Sequence, residues 1–312
     1  MDRATLFSEK AACIVNPAAA RNKWKRRKKL RGYLEKNLPC EIIDDYLQKE
    51  KIIATARKQS LEQKIIVAVG GDGTIAHIIQ GIIDSGRANE VLLGIITFGS
   101  GNAFRKSLGI PKNAKKALQN IYEGEVREID LIDVEGKMAG FASFGATARV
   151  SQKNLQHKIP GLIGHLLASR ILVGMPRVPY EIELYDGITD TGEHFDRKSL
   201  NLRLLECVIG KTSHFGYGWK APPLAGIDDG YLDITFFETS WFKFSICFPL
   251  NYLGLLQRTQ KHFKAKKMII RGDDLPVQYN GEFFAVKDEI TFKVRPQALK
   301  IISPKKKDRV RA

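Results

Sequence analysis

The 312-residue sequence predicts two units in tandem, an α/β domain on a mostly parallel sheet and then a predominantly antiparallel β domain arranged as a sandwich. Three observations carry this. Apolar runs alternate with helical patterns as far as Glu125, extended runs then follow one another with short connections, and the length exceeds what one core usually holds.

Ala11 to Val15 reads as a short buried strand ending at Asn16-Pro17. Glu41 to Tyr46 reads as a second strand and Ile52 to Gln63 as a helix. Ile65 to Val69 has the β-branched content of a strand buried on both faces. It breaks at Gly70-Gly71-Asp72-Gly73-Thr74. Directly afterwards Ile75, Ile78, Ile79, Ile82 and Ile83 recur at helical spacing, so a glycine turn meets a helix start at Asp72. Glycines admit a ligand close to the backbone and the first helical N–H groups lack internal partners, which suits this junction to phosphate. Val91 to Thr97 repeats the pattern, ending in Phe98-Gly99-Ser100-Gly101-Asn102-Ala103-Phe104. A helix follows to Leu108, closed by Gly109 and Pro111, and Asn113 caps Ala114 to Tyr122. Ligands of parallel sheets lie at the carboxyl ends of strands, where Asn16, Asp72 and Ser100 all fall, so one shared site is expected.

Beyond Glu125 the strands are Val126 to Val134, Met138 to Phe144, Val178 to Tyr185, Leu200 to Ile209 and Tyr231 to Phe237. Leu155 to Val173 reads as a helical insertion and Phe242 to Phe263 as an amphipathic helix. Val277 to Tyr279 and Phe283 to Val286 flank Asn280-Gly281-Glu282 as a hairpin.

The net charge of +16 and pI near 9.6 imply anionic partners. In residues 21 to 31, RNKWKRRKKLR, eight of eleven positions are Lys or Arg, with Trp24 embedded, a composition for anionic headgroups or a nucleotide. Nucleic acid is the competing explanation, and the scarcity of interleaved aromatics argues against it. The cysteines, Cys13, Cys40, Cys207 and Cys247, form no CxxC pair, which fits a reducing cytosol. No stretch reads as a secretion signal or a bilayer span, and the expectation is a soluble or peripheral protein.

Assembled in order, these motifs resemble the diacylglycerol kinase catalytic-domain family, lipid kinases that include bacterial diacylglycerol kinases, sphingosine kinases and ceramide kinases. The series is Asn16-Pro17, the GGDGT at 70 to 74, GSGNAF at 99 to 104, Arg127-Glu128-Ile129-Asp130-Leu131, Ala221-Pro222 with Asp228-Asp229-Gly230-Tyr231-Leu232-Asp233, and Asn280-Gly281-Glu282. The resemblance implies a Rossmann-like ATP-binding domain at 1–130, a β-sandwich substrate domain at 131–290, a strand at 291–303 returning to the first domain, and a basic tail at 304–312. ATP and Mg²⁺ would lie in the cleft. Nucleotide contacts would come from Asn16, Pro17, Leu47, Gly70, Gly71, Asp72, Gly73, Thr74, Ile75, Ala76, His77, Ser100, Gly101 and Asn102. A structural magnesium site would fall on Gly226, Asp229 and Tyr231, and Asp130 resembles an acid near the active cleft.

The implied reaction is transfer of the γ-phosphate of ATP to the hydroxyl of a membrane lipid, diacylglycerol or a sphingoid or ceramide-like lipid. The chain would work at the cytosolic membrane face, bound peripherally to an anionic surface, with a homodimer as an open option and no nucleic acid partner. Glu282, Asp72 and Asn280 are the candidate catalytic residues. Asn280 stands where the family usually has Asp, and an amide accepts no proton at useful pH, which leaves Glu282 to serve as the base or to position it, with Asp72 the other carboxylate that could help. Phe98 where a Pro is common and Thr147 where the family often has an acid are further departures. The alternatives are a catalytically impaired relative that binds ATP or lipid and, more distantly, an NAD kinase.

Overall fold

A computed structural model describes residues 11–17, 28–44, 48–98, 101–153, 172–215, 218–222, 225–256 and 260–305. Contacts divide the chain into one unit of Met1–Ile129 with Gln297–Ala312 and a second of Asp130–Pro296.

In the first unit β1 (Ala11–Val15) runs parallel to β2 (Glu41–Ile43) on one side and to β3 (Ile65–Gly70) on the other, and β3 runs parallel to β4 (Leu92–Thr97). Every residue of β1 and β3 is buried, as their continuous apolar content requires. The helices are α1 (Lys28–Asn37), α2 (Lys49–Glu62), α3 (Asp72–Asp84), α4 (Ala103–Ser107) and α5 (Ala114–Glu123). Gly81 lets α2 and α3 touch backbone to backbone, since a Cβ there would meet Ile53 O at 2.4 Å. Asn113 caps α5 through its side chain, accepting from Lys115 N at 2.9 Å and Lys116 N at 3.3 Å. At the end of the basic run Arg31 is not free of acids: it pairs with Glu35 at 2.7 Å and Asp44 at 3.1 Å.

Strand β5 (Glu125–Val134) leads into the second unit. There follow β6 (Lys137–Ala139), β7 (Phe141–Gly145), α6 (Ala146–Gln152), β8 (Val178–Thr189), β9 (His194–Leu204), β10 (Glu206–Gly210), β11 (Leu232–Phe237), α7 (Trp241–Tyr252), β12 (Lys261–Tyr279) and β13 (Glu282–Ser303). The pairings β5–β6, β7–β10, β10–β11, β8–β9 and those of β12 with β7, β8, β11 and β13 are all antiparallel. Their inward residues, among them Phe144, Leu184, Ile209, Phe236, Met268, Ile270, Val277 and Phe292, form one buried cluster. The last residues of β13 belong to the first unit, where Lys300 and Ile301 pair in parallel with Leu92 and Leu93.

Several expected elements change. The helix expected over Phe242 to Phe263 stops at Tyr252, and Lys261 already opens β12, because His262 to Ala265 pair with β11 residues Thr235 to Leu232. The strand expected over Leu200 to Ile209 is two, β9 and β10, parted at Leu205, whose N–H turns to Phe237 O. Met138 to Phe144 divides at Gly140, whose N–H goes to Asn280 Oδ1 and whose carbonyl accepts from Lys211 and Thr212. The insertion over Leu155 to Val173 lies almost wholly outside the described residues, as do most of the basic run and most of the tail.

Candidate functional site

In the first unit the glycine junctions stand at strand ends that register makes neighbours. Gly70 at the end of β3 pairs with Thr97 at the end of β4, and Asn16 donates its N–H to Val69 O at 3.1 Å. Gly71 caps α3 with extended backbone, and Ile75 N–H closes the first turn on Gly71 O at 3.0 Å. The amides of Asp72, Gly73 and Thr74 therefore have no acceptor inside the helix, the condition under which a helix start binds phosphate. Asn16 Nδ2 donates to Thr74 Oγ1 at 3.1 Å and fixes β1 to that start. Gly70 admits no side chain, because a Cβ would lie 2.6 Å from Thr74 Cβ.

Asp72 joins this turn to the second glycine loop: its Oδ1 accepts from Ala103 N at 2.7 Å. Burial pushes the carboxyl up to about 6, opposed by the amides of Ala103 and Asn102 and by the Lys106 cation. Asn102, buried and left-handed at φ 55°, turns the chain into α4. Pro17 and Gly101 are buried, and Gly73 is half-buried on the first turn of α3. Ile75 and Ala76 point their side chains into the core, so they offer a ligand backbone only, and His77 is half-buried. Leu47 and Ser100 lie outside the described residues. Thr97 was not anticipated. Its buried Oγ1 has no hydrogen-bond partner among the described residues.

In the second unit Asn280 and Gly281, at φ 50° and 85°, form a two-residue hairpin between β12 and β13. Asn280 is buried, and both polar atoms of its amide are engaged: Oδ1 accepts from Gly140 N at 3.0 Å while Nδ2 donates to Met138 O at 3.0 Å. An ionised Asp cannot make the second bond. Asn280 is thus a structural tie, and the carboxylate that remains in the motif is half-buried Glu282, the first residue of β13, opposite Tyr279. Thr147 does have an acid beside it, supplied by β10: buried Glu206 accepts from Thr147 N at 2.7 Å and from Thr147 Oγ1 at 2.6 Å. Burial pushes Glu206 up to about 8 against those bonds.

The residues expected to hold magnesium already hold a cation. Lys211 Nζ donates to Asp229 Oδ1 and to Tyr231 O, each at 2.6 Å, and stands 3.1 Å from Asp130 Oδ2. Lys264 Nζ lies 2.5 Å from the other oxygen of Asp229. Burial pushes Asp229 up, but Lys211 and Lys264 outweigh it and hold the carboxyl below its ordinary value. Gly226 lies against this carboxylate, with room for no Cβ, and its N–H goes to Asp233 Oδ2 at 3.1 Å. No cluster of three His, Cys, Asp or Glu suited to a metal occurs among the described residues. The oxygens do not fit Mg²⁺ while an ammonium occupies them.

Helix α7 packs its inner face, Phe244 and Phe248, on Trp219 with ring centroids 6.1 and 5.4 Å apart. Its outer face leaves Phe242, Ile246 and Leu250 exposed by 58, 62 and 46%, with Leu253 and Leu255 beyond. No described helix is long and apolar enough to cross a membrane.

Residues 10–134 match the diacylglycerol kinase catalytic domain, and residues 174–303 match the YegS C-terminal NAD kinase beta sandwich-like domain. Proteins named diacylglycerol kinase from Staphylococcus aureus strains RF122 / ET3-1 and MRSA252 are 27% identical over 299 residues, covering 88% of this chain and 86% of theirs. A solved structure of a putative diacylglycerol kinase from Bacillus anthracis str. Sterne superposes with a TM-score of 0.72 at 21% identity, covering 95% of this chain and 97% of that one. An NAD kinase from Archaeoglobus fulgidus in complex with ATP gives 0.50 at 16% identity over 96% of each. At these identities the solved structures speak for the fold. The two domain matches follow one another and together take in most of the sequence, so the chain carries a diacylglycerol kinase catalytic domain followed by a YegS C-terminal domain.

Proposed function

We propose that the chain is an ATP-dependent lipid kinase that phosphorylates the hydroxyl of a membrane lipid, with diacylglycerol the first acceptor to try. The observation that carries this is the phosphate-suited start of α3, locked to β1 by Asn16 and to the second glycine loop by Asp72, in a chain that carries this catalytic domain. In this reading the first unit is a Rossmann-like nucleotide domain. Phosphoryl transfer asks mainly for positioning and charge neutralisation, so rigid backbone donors matter more than a reactive side chain. The amides of Asp72, Gly73 and Thr74 take the phosphates of ATP, which arrives as its magnesium complex. Asp72 and Asn280 act as positioning residues, since their polar atoms hold other loops. Glu282 takes the proton of the acceptor hydroxyl.

The lipid is reached from a membrane surface, and the exposed face of α7 is the contact. That face carries no acid among Trp241 to Tyr252, bears Lys243, and belongs to a chain of net charge +16, which matches an anionic bilayer. The test is phosphorylation of vesicle-borne diacylglycerol, sphingoid base and ceramide by the full chain with labelled ATP, beside Gly73→Asp and Glu282→Gln. Labelled lipid that both substitutions abolish supports the proposal. ATP binding without labelled lipid would favour a catalytically impaired relative, and NADP formed from NAD would make it an NAD kinase.

A further inference from the structure

We infer that in this chain the ammonium of Lys211 replaces the divalent cation that the family resemblance places at Asp229, so that the second unit is built around a tethered cation and needs no metal there.

The geometry is that of a satisfied site. Lys211 follows β10 directly, its N–H held by Gly140 O at 2.8 Å, and its side chain is 0% exposed. An ammonium has three donors, and three oxygens surround this one: Asp229 Oδ1, Tyr231 O and Asp130 Oδ2. The same oxygens organise the loop from Gly226 to Asp233. Asp130 Oδ2 also accepts from Gly230 N at 2.7 Å, Asp229 Oδ1 from Tyr231 N at 3.2 Å, and Asp130 N–H reaches Ile227 O at 2.8 Å. Asp130, which the sequence placed near the active cleft, is thereby part of this cation's cage.

Charge balance points the same way. Two lysines, Lys211 and Lys264, face three acids, Asp130, Asp229 and Asp233. The two ammonium groups offset two of the three carboxylates with no bound ion. A divalent ion on Asp229 Oδ1 and Tyr231 O would stand where Lys211 Nζ stands, and the displaced ammonium, wholly buried, would be left beside a dication without its acceptors.

The consequence is read without nucleotide or lipid, so it fails or survives independently of the kinase reading. Thermal unfolding of the full chain in EDTA and in millimolar Mg²⁺, with Mn²⁺ binding followed by electron paramagnetic resonance, is compared for the native chain, Lys211→Ala and Lys211→Ala with Asp229→Asn. The expected result is a native melting temperature unmoved by Mg²⁺ and no Mn²⁺ bound through Asp229. Lys211→Ala should melt several degrees lower in EDTA and recover with Mg²⁺, and Asp229→Asn should abolish the recovery. Stabilisation of the native chain by Mg²⁺ that Asp229→Asn removes would overturn the inference. So would a Lys211→Ala variant as stable as the native chain, or one whose loss no cation restores. If Lys211→Ala does not fold, native Mn²⁺ binding decides: none through Asp229 upholds the inference, and one ion lost on Asp229→Asn overturns it.

Discussion

Replacing Asn280 by Asp, which restores the residue usual in the family, should destabilise the second unit. Asn280 Nδ2 donates to Met138 O and its Oδ1 accepts from Gly140 N, both at 3.0 Å, in a position 7% exposed. An ionised carboxylate keeps the second bond and turns an oxygen toward the Met138 carbonyl. The lost bond is worth about 1 kcal/mol, and a buried group left unsatisfied costs about 1–3 kcal/mol more, so about 2–4 kcal/mol is expected. For a unit of this size that lowers the melting temperature by roughly 5–15 °C. The deficit depends on pH with a definite sign. Protonation lets the new carboxyl donate to Met138 O, so its folded pKa is raised above the unfolded value near ~3.9. The penalty is absent below the unfolded pKa and grows as pH rises through the folded one. Thermal unfolding of both full chains from acidic to neutral pH is the assay. A variant as stable as the native chain at neutral pH, with no widening gap, refutes the assignment of Asn280 as a tie, and lipid kinase activity gained by Asn280→Asp would make it a base position instead.

Three further outcomes are expected. Gly70→Ala should raise the Kd for ATP at least about tenfold by calorimetry, because the added Cβ meets Thr74 at 2.6 Å and displaces the start of α3; unchanged affinity would exclude this turn as the phosphate site. Glu206 has its folded pKa raised from 4.5 to about 8, so its contribution to stability is present below 4.5 and lost as pH rises through about 8. Glu206→Gln should flatten that decline in pH-dependent unfolding, and equal slopes would refute it. Phe242→Glu with Ile246→Glu should weaken sedimentation with anionic vesicles by tenfold or more, since burying each such side chain is worth about 1.5–3 kcal/mol. Their melting temperature should stay unchanged because both are exposed, and undiminished vesicle binding would remove α7 from the membrane contact.

The features legible in the sequence were those decided by neighbours along the chain. Asn280-Gly281 reads as a hairpin because both residues accept positive φ, and Asn113 reads as a cap because the N–H groups that donate to its side-chain oxygen lie two and three residues on. The junction at Gly70 to Thr74 was visible because a buried strand and an amphipathic helix differ in period. Long-range partners were not visible. Asn280 is explained by Gly140 and Met138, 140 and 142 residues earlier, so an amide that serves as a tie read as a missing base. Lys211 carries no signal of its own, since its acceptors come from two other segments, Asp130 from one and Asp229 with Tyr231 from the other. The opening of β12 misled for another reason: its lysines mask the period-2 pairing that β11 imposes, and Phe263 continues the apolar spacing of α7.

Strand β13 sets an order on folding during synthesis. β4 is flanked on one side by β3, available early, and on the other by Lys300 and Ile301, made more than two hundred residues of chain later. While the second unit is still emerging from the ribosome, the first has every described strand but that one, and the apolar margin of β4 stays open to unwanted pairing. The nascent chain should therefore depend on holding factors until its last strand is released, and a truncation before residue 297 should aggregate through the first unit even though it removes none of the glycine motifs.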